Sequence, residues 1–304
     1  MLGISKQAVY KYKQREELFY LQLEDLIIQV DELRKEHPGC GVEKMYRTLK
    51  PDFIGRDRFV KIFINLGYRV KKTRNYVRTT IPTHIKYPNL IEGMQVGEKN
   101  QVWQTDITYF YFSGEFYYII FIIDVYTRKI IAHKVSNNMR AEANIECLKQ
   151  AIKSQKYSLK SLIHHSDRGS QYVATNYIKV LKDNNIAVSM GMKAQDNAYA
   201  ERVNGTIKNE YLKRWEIKSF SVLKRKLNKA VRHYNEKRIH SSLPNEFSPV
   251  EFEKYLLNLG SQNRPKVIIY AEGKDKTLEA SSLQSFKPKA EPQAHNCPIG
   301  ISSK

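Results

Sequence analysis

Runs of apolar and β-branched residues in the middle of the chain predict a small β-sheet. Residues 102–112 and 116–125 are both rich in such residues, and Ser113-Gly114-Glu115 lies between them. This composition is typical of two strands joined by a tight turn. A second turn at Thr127-Arg128 leads into the apolar stretch 129–135. The pattern therefore predicts a three-stranded antiparallel meander.

After the meander, the spacing of apolar residues alternates between the helical and the extended pattern. Helices are expected at about residues 140–155, 171–184 and 197–212, and short strands at 186–190 and up to His165. The order β-β-β-α-β-α-β-α predicts an α/β fold with a mixed sheet. We assign this core, together with the basic helical segment that follows it, to residues 98–258.

Residues 1–80 have helical periodicity and predict a separate helical region. Residues 2–13 are typical of the second half of a helix-turn-helix, with Ser5 as the N-cap. An amphipathic helix is expected over residues 17–36, ended by His37-Pro38-Gly39. Its apolar residues are Leu18, Leu21, Ile28 and Leu33.

Two further helices, at residues 42–50 and 56–66, have the spacing of a DNA-binding helix-turn-helix. The alternative is a plain three-helix bundle with a charged outer face. The basic segment 69–78 follows, as an arm along DNA or as a solvated linker. Candidate DNA contacts in these segments are Arg56, Arg58, Lys61, Lys71 and Lys72.

Two segments outside the helical region and the core have weaker patterns. Residues 81–97 contain Pro82 and Pro88 and are expected to be an interdomain linker. Residues 259–304 are rich in Ser, Lys, Gln and Pro, which predicts a basic and mostly disordered tail. A single strand is expected within it at 267–270.

The charge balance indicates the kind of partner. The chain of 304 residues has 51 Lys and Arg against 31 Asp and Glu, which gives a net charge of +20. A charge of this size favours nucleic acid, through phosphate contacts and the release of counterions. The alternative is a basic surface that serves only solubility.

The cysteines and the apolar runs indicate the compartment. Cys40, Cys147 and Cys297 are widely separated and have no zinc-ligand spacing. An odd number of cysteines without a disulfide framework fits a reducing compartment. The longest apolar run, 116–125, is interrupted by Asp124 and is too short to span a bilayer. We therefore expect a cytoplasmic protein with no membrane partner.

Three carboxylates lie in three different elements of the predicted core. Asp106 lies within the first strand, Asp167 just past a short strand and Glu201 on a helix, so they can converge only through the tertiary fold. Converging hard oxygen donors would hold Mg²⁺, and two such ions would clamp the attacking and leaving oxygens of a phosphodiester. Each acid taken alone is an ordinary surface residue. Asp124, just before a turn, is expected to be structural.

Five segments of the core resemble the integrase-type core of bacterial insertion-sequence transposases. They are residues 103–108, 123–129, 165–172, 196–201 and 234–243. The similarity covers about residues 20–255 and is greatest to the group whose second reading frame encodes the catalytic protein. It implies a ribonuclease-H-like fold with an Asp-Asp-Glu active site.

Within this resemblance, Asp106, Asp167 and Glu201 are the expected catalytic residues and the ligands of two Mg²⁺ or Mn²⁺ ions. The implied reaction is cleavage at the 3′ ends of an insertion sequence and strand transfer into double-stranded target DNA, by a homo-oligomer at the bacterial nucleoid. The family's complete transposase usually includes a further helix-turn-helix and zipper from an upstream reading frame. We therefore expect an upstream partner or a fusion.

Several neighbouring residues are expected to assist the three acids. Lys208 lies two helical turns after Glu201 and is expected to hold a DNA phosphate. Arg168, Asn204 and Arg238 are the other expected DNA contacts of the core, and His165 and Asn197 are expected to orient the site. Two rival functions remain: a ribonuclease-H-like nuclease without strand transfer, and a DNA-binding regulator with an inactive core.

Overall fold

A computed structural model describes residues 6–71, 87–155, 159 and 161–269 of the chain. The N-terminal part contains three helices: α1 Lys6–Glu36, α2 Val42–Leu49 and α3 Arg56–Asn65. They enclose a core of their own, in which Met45, Phe59 and Phe63 are fully buried. The expected pair of helices is confirmed, and Gly67 follows α3 with a positive φ of 87°.

Helix α1 differs from the expectation in two ways. It is one helix of 31 residues rather than two, because no Gly or Pro interrupts the chain between Lys6 and Glu36. Three of the four expected apolar residues do not pack, since Leu18, Leu21 and Ile28 are exposed, whereas Leu33 packs against the core as expected. The helix has a second apolar stripe, and that stripe is the one that packs: Phe19, Leu23, Leu26 and Val30.

The core is a five-stranded mixed sheet with a separate two-stranded ribbon. The strands are β1 Gln95–Val96, β2 Val102–Phe112, β3 Glu115–Asp124, β4 Ile130–Ser136, β5 Ile163–Ser166, β6 Ala187–Met190 and β7 Val267–Ile268. The order in the large sheet is β4-β3-β2-β5-β6. The first three strands along the chain are antiparallel, whereas β5 runs parallel to β2 and β6 parallel to β5. The ribonuclease-H-like arrangement is confirmed.

Local sequence explains the turns of the meander. Ser113 and Gly114 both have positive φ, 51° and 82°, which is the geometry of the two-residue turns that match the twist of paired strands. At the far end of β3, Asp124 is fully buried and accepts hydrogen bonds from the backbone N–H groups of Asn100 and Thr127. Asp124 therefore closes a turn, as expected of an aspartate in that position.

Helices cover both faces of the large sheet. On one face, α4 Ala141–Lys153 and α5 Thr175–Asp183 pack around the fully buried Trp103. On the other face lie α6 Ala198–Thr206 and α7 Phe220–Glu236, and α7 buries an apolar stripe that includes Leu223, Leu227 and Tyr234. The expected helix at 171–184 is interrupted, because residues 170–172 form a short 3₁₀ turn before α5. The α8 helix, Pro249–Leu257, begins with a capping box between Ser248 and Glu251.

Segments expected at the domain boundaries pack against the core. Strand β1 pairs with β7, and Ile91 and Ile269 are buried in one cluster with Phe252 of α8. Residues 87–97 and 259–269 thus belong to the folded core. The remainder of the expected tail, most of the expected arm and Ser5 lie outside the described residues. In the described ranges, no helix is long and apolar enough to cross a membrane.

Candidate active site

The fold brings Asp106, Asp167 and Glu201 within electrostatic range of one another. Asp106 lies on β2, Asp167 in the turn after β5, and Glu201 in the first turn of α6. Strand β5 runs parallel beside β2, and α6 packs across β2. The charges of Asp167 and Glu201 both act on Asp106, so the three elements place these acids near one another.

The carboxyl of Asp106 has a strongly raised pKa. Burial, reinforced by the charges of Asp167 and Glu201, raises the pKa of Asp106 to about 8. The backbone N–H of Ile107, 2.9 Å from one carboxyl oxygen, opposes that shift only in part. Burial and the charge of Asp167 also raise the pKa of Glu201. Acids that disfavour each other's ionised form in this way are stabilised by a cation among them.

Gln104 fixes the start of the helix that carries Glu201. Its fully buried side-chain oxygen accepts hydrogen bonds from the backbone N–H groups of Tyr199 and Ala200, at 3.1 and 3.2 Å. Its amide nitrogen donates to the carbonyl of Asp196 at 2.9 Å. The first N–H groups of a helix have no partner within the helix, so this side chain replaces a cap. We did not predict this role, although Gln104 shares a strand face with Asp106.

Two asparagines attach α6 to β2. The Asn197 amide nitrogen donates to the carbonyl of Thr105 at 2.9 Å, which fits the expected orienting role. The Asn204 amide nitrogen donates to the Asp106 carboxylate at 2.7 Å. We expected Asn204 to face DNA, but it is only 6% exposed and its donor is directed at Asp106. The side-chain oxygens of both asparagines are buried without a hydrogen-bond partner in the described structure.

Lys208 lies near Asp106, but not on a regular α-helix. The chain continues from α6 into a π-helical turn, Ile207–Tyr211, of the kind that often marks functional sites. The Lys208 ammonium lies 5.0 Å from the centre of the Tyr109 ring. Burial lowers the pKa of Lys208, the nearby Lys213 lowers it too, and the charge of Asp106 opposes this shift. The lysine is therefore partly desolvated beside the acids.

The turn after β5 presents Asp167. The backbone N–H of Gly169 donates to the Asp167 carboxylate at 3.0 Å, and the adjacent Arg168 is partly buried. His165 is fully buried, and its Nδ1 atom lies 2.8 Å from the Ser189 hydroxyl on β6. Burial lowers the pKa of His165 to about 4, so the ring is neutral.

Tyr172 is a neighbour of the acids that we did not predict. It is 1% exposed. Burial, and then the charges of Asp167 and Asp106, raise its pKa well above the ordinary value. The only signal in the sequence was its position in the segment that follows Asp167.

The three carboxylates are of the chemical type that binds a hard divalent cation, but they do not surround a single ion site in this structure. All three side chains are carboxylates, the ligands that Mg²⁺ and Mn²⁺ prefer. Among the described residues, no three His, Cys, Asp or Glu side chains are close enough to hold a single ion. The mutual repulsion at Asp106 is the feature that a cation would relieve.

The expected DNA contacts outside the core are mostly on the surface. Arg56, Lys61 and Lys71 are exposed, and Arg58 lies with its guanidinium 3.9 Å from the centre of the Phe19 ring. Lys72 lies outside the described residues.

Arg238 differs from the expectation. Its side chain is only 11% exposed and is paired with Glu210. The expectation of an exposed DNA contact there was wrong, because this carboxylate occupies the guanidinium.

The chain is similar in sequence to integrase-core profiles and to proteins of bacterial insertion elements. Two family profiles, both described as integrase core domain, match residues 97–195 and 183–246. The chain is 32% identical over 270 residues to an uncharacterized 31 kDa protein of insertion element IS600 from Shigella sonnei, covering 84% of this chain and 97% of that protein. It is also 30% identical over 236 residues to the transposase for insertion sequence element IS629 from Shigella sonnei, covering 75% and 79%.

The chain belongs to the family of insertion-sequence transposases with an integrase core. Among solved structures, it is similar to the catalytic core domain of the HTLV-2 integrase in complex with magnesium. That match has 20% sequence identity and a TM-score of 0.40, and it covers 54% of this chain and 98% of the other. In this family member, the integrase-core segment includes Asp106, Asp167 and Glu201.

Proposed function

We propose that this protein catalyses metal-dependent cleavage at the 3′ ends of an insertion sequence and transfer of those ends into target DNA. The observation that carries the proposal is the set of three coupled carboxylates at Asp106, Asp167 and Glu201, within a chain of the integrase-core transposase family. The net charge of +20 fits double-stranded DNA as the substrate. The protein would act on the DNA ends as a homo-oligomer, with an upstream-frame partner or fusion.

Asp106, Asp167 and Glu201 would hold two Mg²⁺ or Mn²⁺ ions. Such ions supply polarisation of the attacking oxygen and of the scissile phosphate. Asn204 keeps the partly buried Asp106 carboxylate in place, while the N–H of Gly169 fixes Asp167. Glu201, on the exposed side of α6, completes the set.

Lys208 would hold a DNA phosphate beside the acids. A partly desolvated ammonium attracts a phosphate more strongly than an exposed one, because fewer water molecules screen it. The Tyr109 ring next to it restricts where the ammonium can lie. Arg168, next to Asp167, would contact the DNA backbone near the acids, and the exposed Arg56, Lys61 and Lys71 would contact it farther away.

A cleavage assay tests the proposal. DNA that ends in the terminal repeats of the element is incubated with the protein in Mg²⁺, and products at the 3′ ends are compared between wild type and Glu201→Gln. We expect a loss on the order of a thousandfold or more in the variant. Glu216→Gln is the matched control, because Glu216 is an exposed acid paired with the exposed Lys218.

The outcomes separate the candidate functions. Cleavage followed by joining to a second DNA supports the transposase. Cleavage without joining favours a nuclease. DNA binding without any metal-dependent cleavage, unaffected by Glu201→Gln, favours a regulator and contradicts the proposal.

A further inference from the structure

One carboxylate outside the proposed active site is contacted by two cationic side chains and a histidine from three distant parts of the chain. Glu210 accepts two hydrogen bonds of 2.8 Å from the Arg238 guanidinium, one on each oxygen. His37 contacts the same carboxylate at 2.5 Å and Lys44 at 3.4 Å. Burial opposes ionisation of Glu210, yet the hydrogen bonds from Arg238 and His37 hold its pKa well below the ordinary value. The group is therefore an anion in a largely buried position.

The partners of Glu210 come from distant parts of the chain. His37 directly follows α1 and Lys44 lies on α2, so both belong to the N-terminal helical part. Arg238 follows α7. Glu210 itself lies in the π-helical turn that continues α6. One carboxylate thus joins the N-terminal helices to the helical segment that also contains Glu201 and Lys208.

Backbone and ring contacts reinforce the same junction. The N–H of Gly39 donates to the carbonyl of Glu210 at 2.7 Å. A Cβ atom on Gly39 would lie 2.4 Å from the Cα of Glu210, so only glycine permits this approach. The His37 ring stacks on the Tyr211 ring with centroids 4.8 Å apart and planes 5° from parallel.

The arrangement specifies geometry more than it adds stability. Taking charges out of water costs about as much as their attraction returns, so a buried ion pair is weak evidence for stability. A forked Arg–carboxylate pair, by contrast, fixes distance and orientation. Glu210 lies two residues after Lys208 along the same helical segment. A displacement of this junction would therefore move Lys208 and the α2–α3 surface relative to each other.

We propose that Glu210 is a positioning residue that docks the N-terminal helices onto the helix of the active site. The docking would hold the exposed basic surface of α3 at a fixed distance from Glu201, so that one DNA duplex contacts both. This inference rests on the proposed function. When two binding surfaces are held in a fixed arrangement, the second contact becomes intramolecular and strengthens the first.

Two variants disturb the junction by different routes. Glu210→Gln removes the charge that pairs with Arg238, whereas Gly39→Ala places a methyl group against the Glu210 backbone. Lys237→Gln is the matched control. Lys237 also links α1 to the end of α7 through Glu36, but that pair is exposed, with 59% and 43% of the two side chains accessible.

The first measurement is a distance that does not depend on catalysis. Spin labels are placed at Asn65→Cys on α3 and Lys182→Cys on α5, both exposed, in a chain with Cys297→Ser. Cys40 and Cys147 are buried. We expect a narrow distance distribution in the otherwise wild-type chain and in Lys237→Gln, and a broad one in Glu210→Gln and Gly39→Ala. Unchanged distributions in both junction variants would overturn the docking role.

The second measurement compares a short duplex that covers only the core with a long one that also reaches α3. In the wild type we expect the long duplex to raise kcat/KM by about tenfold or more. In Glu210→Gln and Gly39→Ala the gain from the long duplex should fall to within about twofold. The kcat/KM on the short duplex should change little. Equal losses on both duplexes would indicate a merely structural residue and overturn the proposal. If the wild type cleaves neither duplex, the proposed function fails, and the spin-label distances still decide the docking.

Discussion

Replacing Asp106 by Asn is expected to stabilise the metal-free protein while it abolishes the proposed chemistry. In the wild type, burial and two neighbouring acids raise the pKa of Asp106 from 3.8 to about 8. At about 1.4 kcal/mol per pH unit, this difference means that the folded protein disfavours the ionised form of Asp106, relative to the unfolded chain, by at most about 6 kcal/mol. The asparagine removes that cost. Its oxygen can still accept the N–H of Ile107, and the unpartnered oxygen of Asn204 can turn to accept its amide.

The sign of the effect follows from proton binding. Between about pH 4 and pH 8 the folded wild type keeps the Asp106 proton and the unfolded chain has lost it, so wild-type stability falls as pH rises. The Asn variant has no such proton. The gain in the free energy of unfolding should therefore be larger at pH 8.5 than at pH 5, by at least about 2 kcal/mol.

Urea unfolding in EDTA at the two pH values measures this gain. Asp183→Asn is the control, because it makes the same substitution at an exposed position on α5. Added Mg²⁺ should raise the wild-type midpoint and leave Asp106→Asn unchanged, since a ligand stabilises only the state that binds it. A variant that is less stable than the wild type at pH 8.5 would refute the reasoning about charge repulsion.

Two further substitutions test the residues around the acids. Gln104→Leu removes the hydrogen-bond partner of the N–H groups of Tyr199 and Ala200 and of the carbonyl of Asp196. It should therefore lower the free energy of unfolding by about 2–4 kcal/mol. Urea unfolding that shows little or no loss would contradict the capping role of Gln104. Lys208→Ala should lower kcat/KM on DNA about tenfold and reduce the slope of log affinity against log salt by about 1, whereas Lys208→Arg should retain most of both. Anisotropy titrations at several salt concentrations measure the slope, and an unchanged slope would contradict the phosphate contact.

Periodicity was enough to predict the core because its elements carry their own signals. The strands 102–112 and 115–124 are long and β-branched, and the turn at Ser113-Gly114 requires residues that tolerate positive φ. The N-terminal helix was harder to predict. It has apolar residues on two faces, and only tertiary packing against α2 and α3 decides which face is buried.

The three candidate acids could be singled out in the sequence because each lies in a distinctive segment, but their supporting residues could not. Gln104 and Glu210 act through partners that are remote in sequence, such as Tyr199 and Arg238. Neither has a local pattern that distinguishes it from an ordinary polar residue. The same holds for Arg238, whose basic neighbourhood indicated a DNA contact, whereas a distant carboxylate determines its environment.

The most direct test of the account is the joining of a pre-cleaved element end to target DNA. Wild type, Asp167→Asn and the exposed control Asp183→Asn are compared in Mg²⁺ and in EDTA. The account predicts joined products for the wild type and Asp183→Asn in Mg²⁺, and none for Asp167→Asn or in EDTA. Joined products from Asp167→Asn at the wild-type rate would contradict the assignment of the three carboxylates.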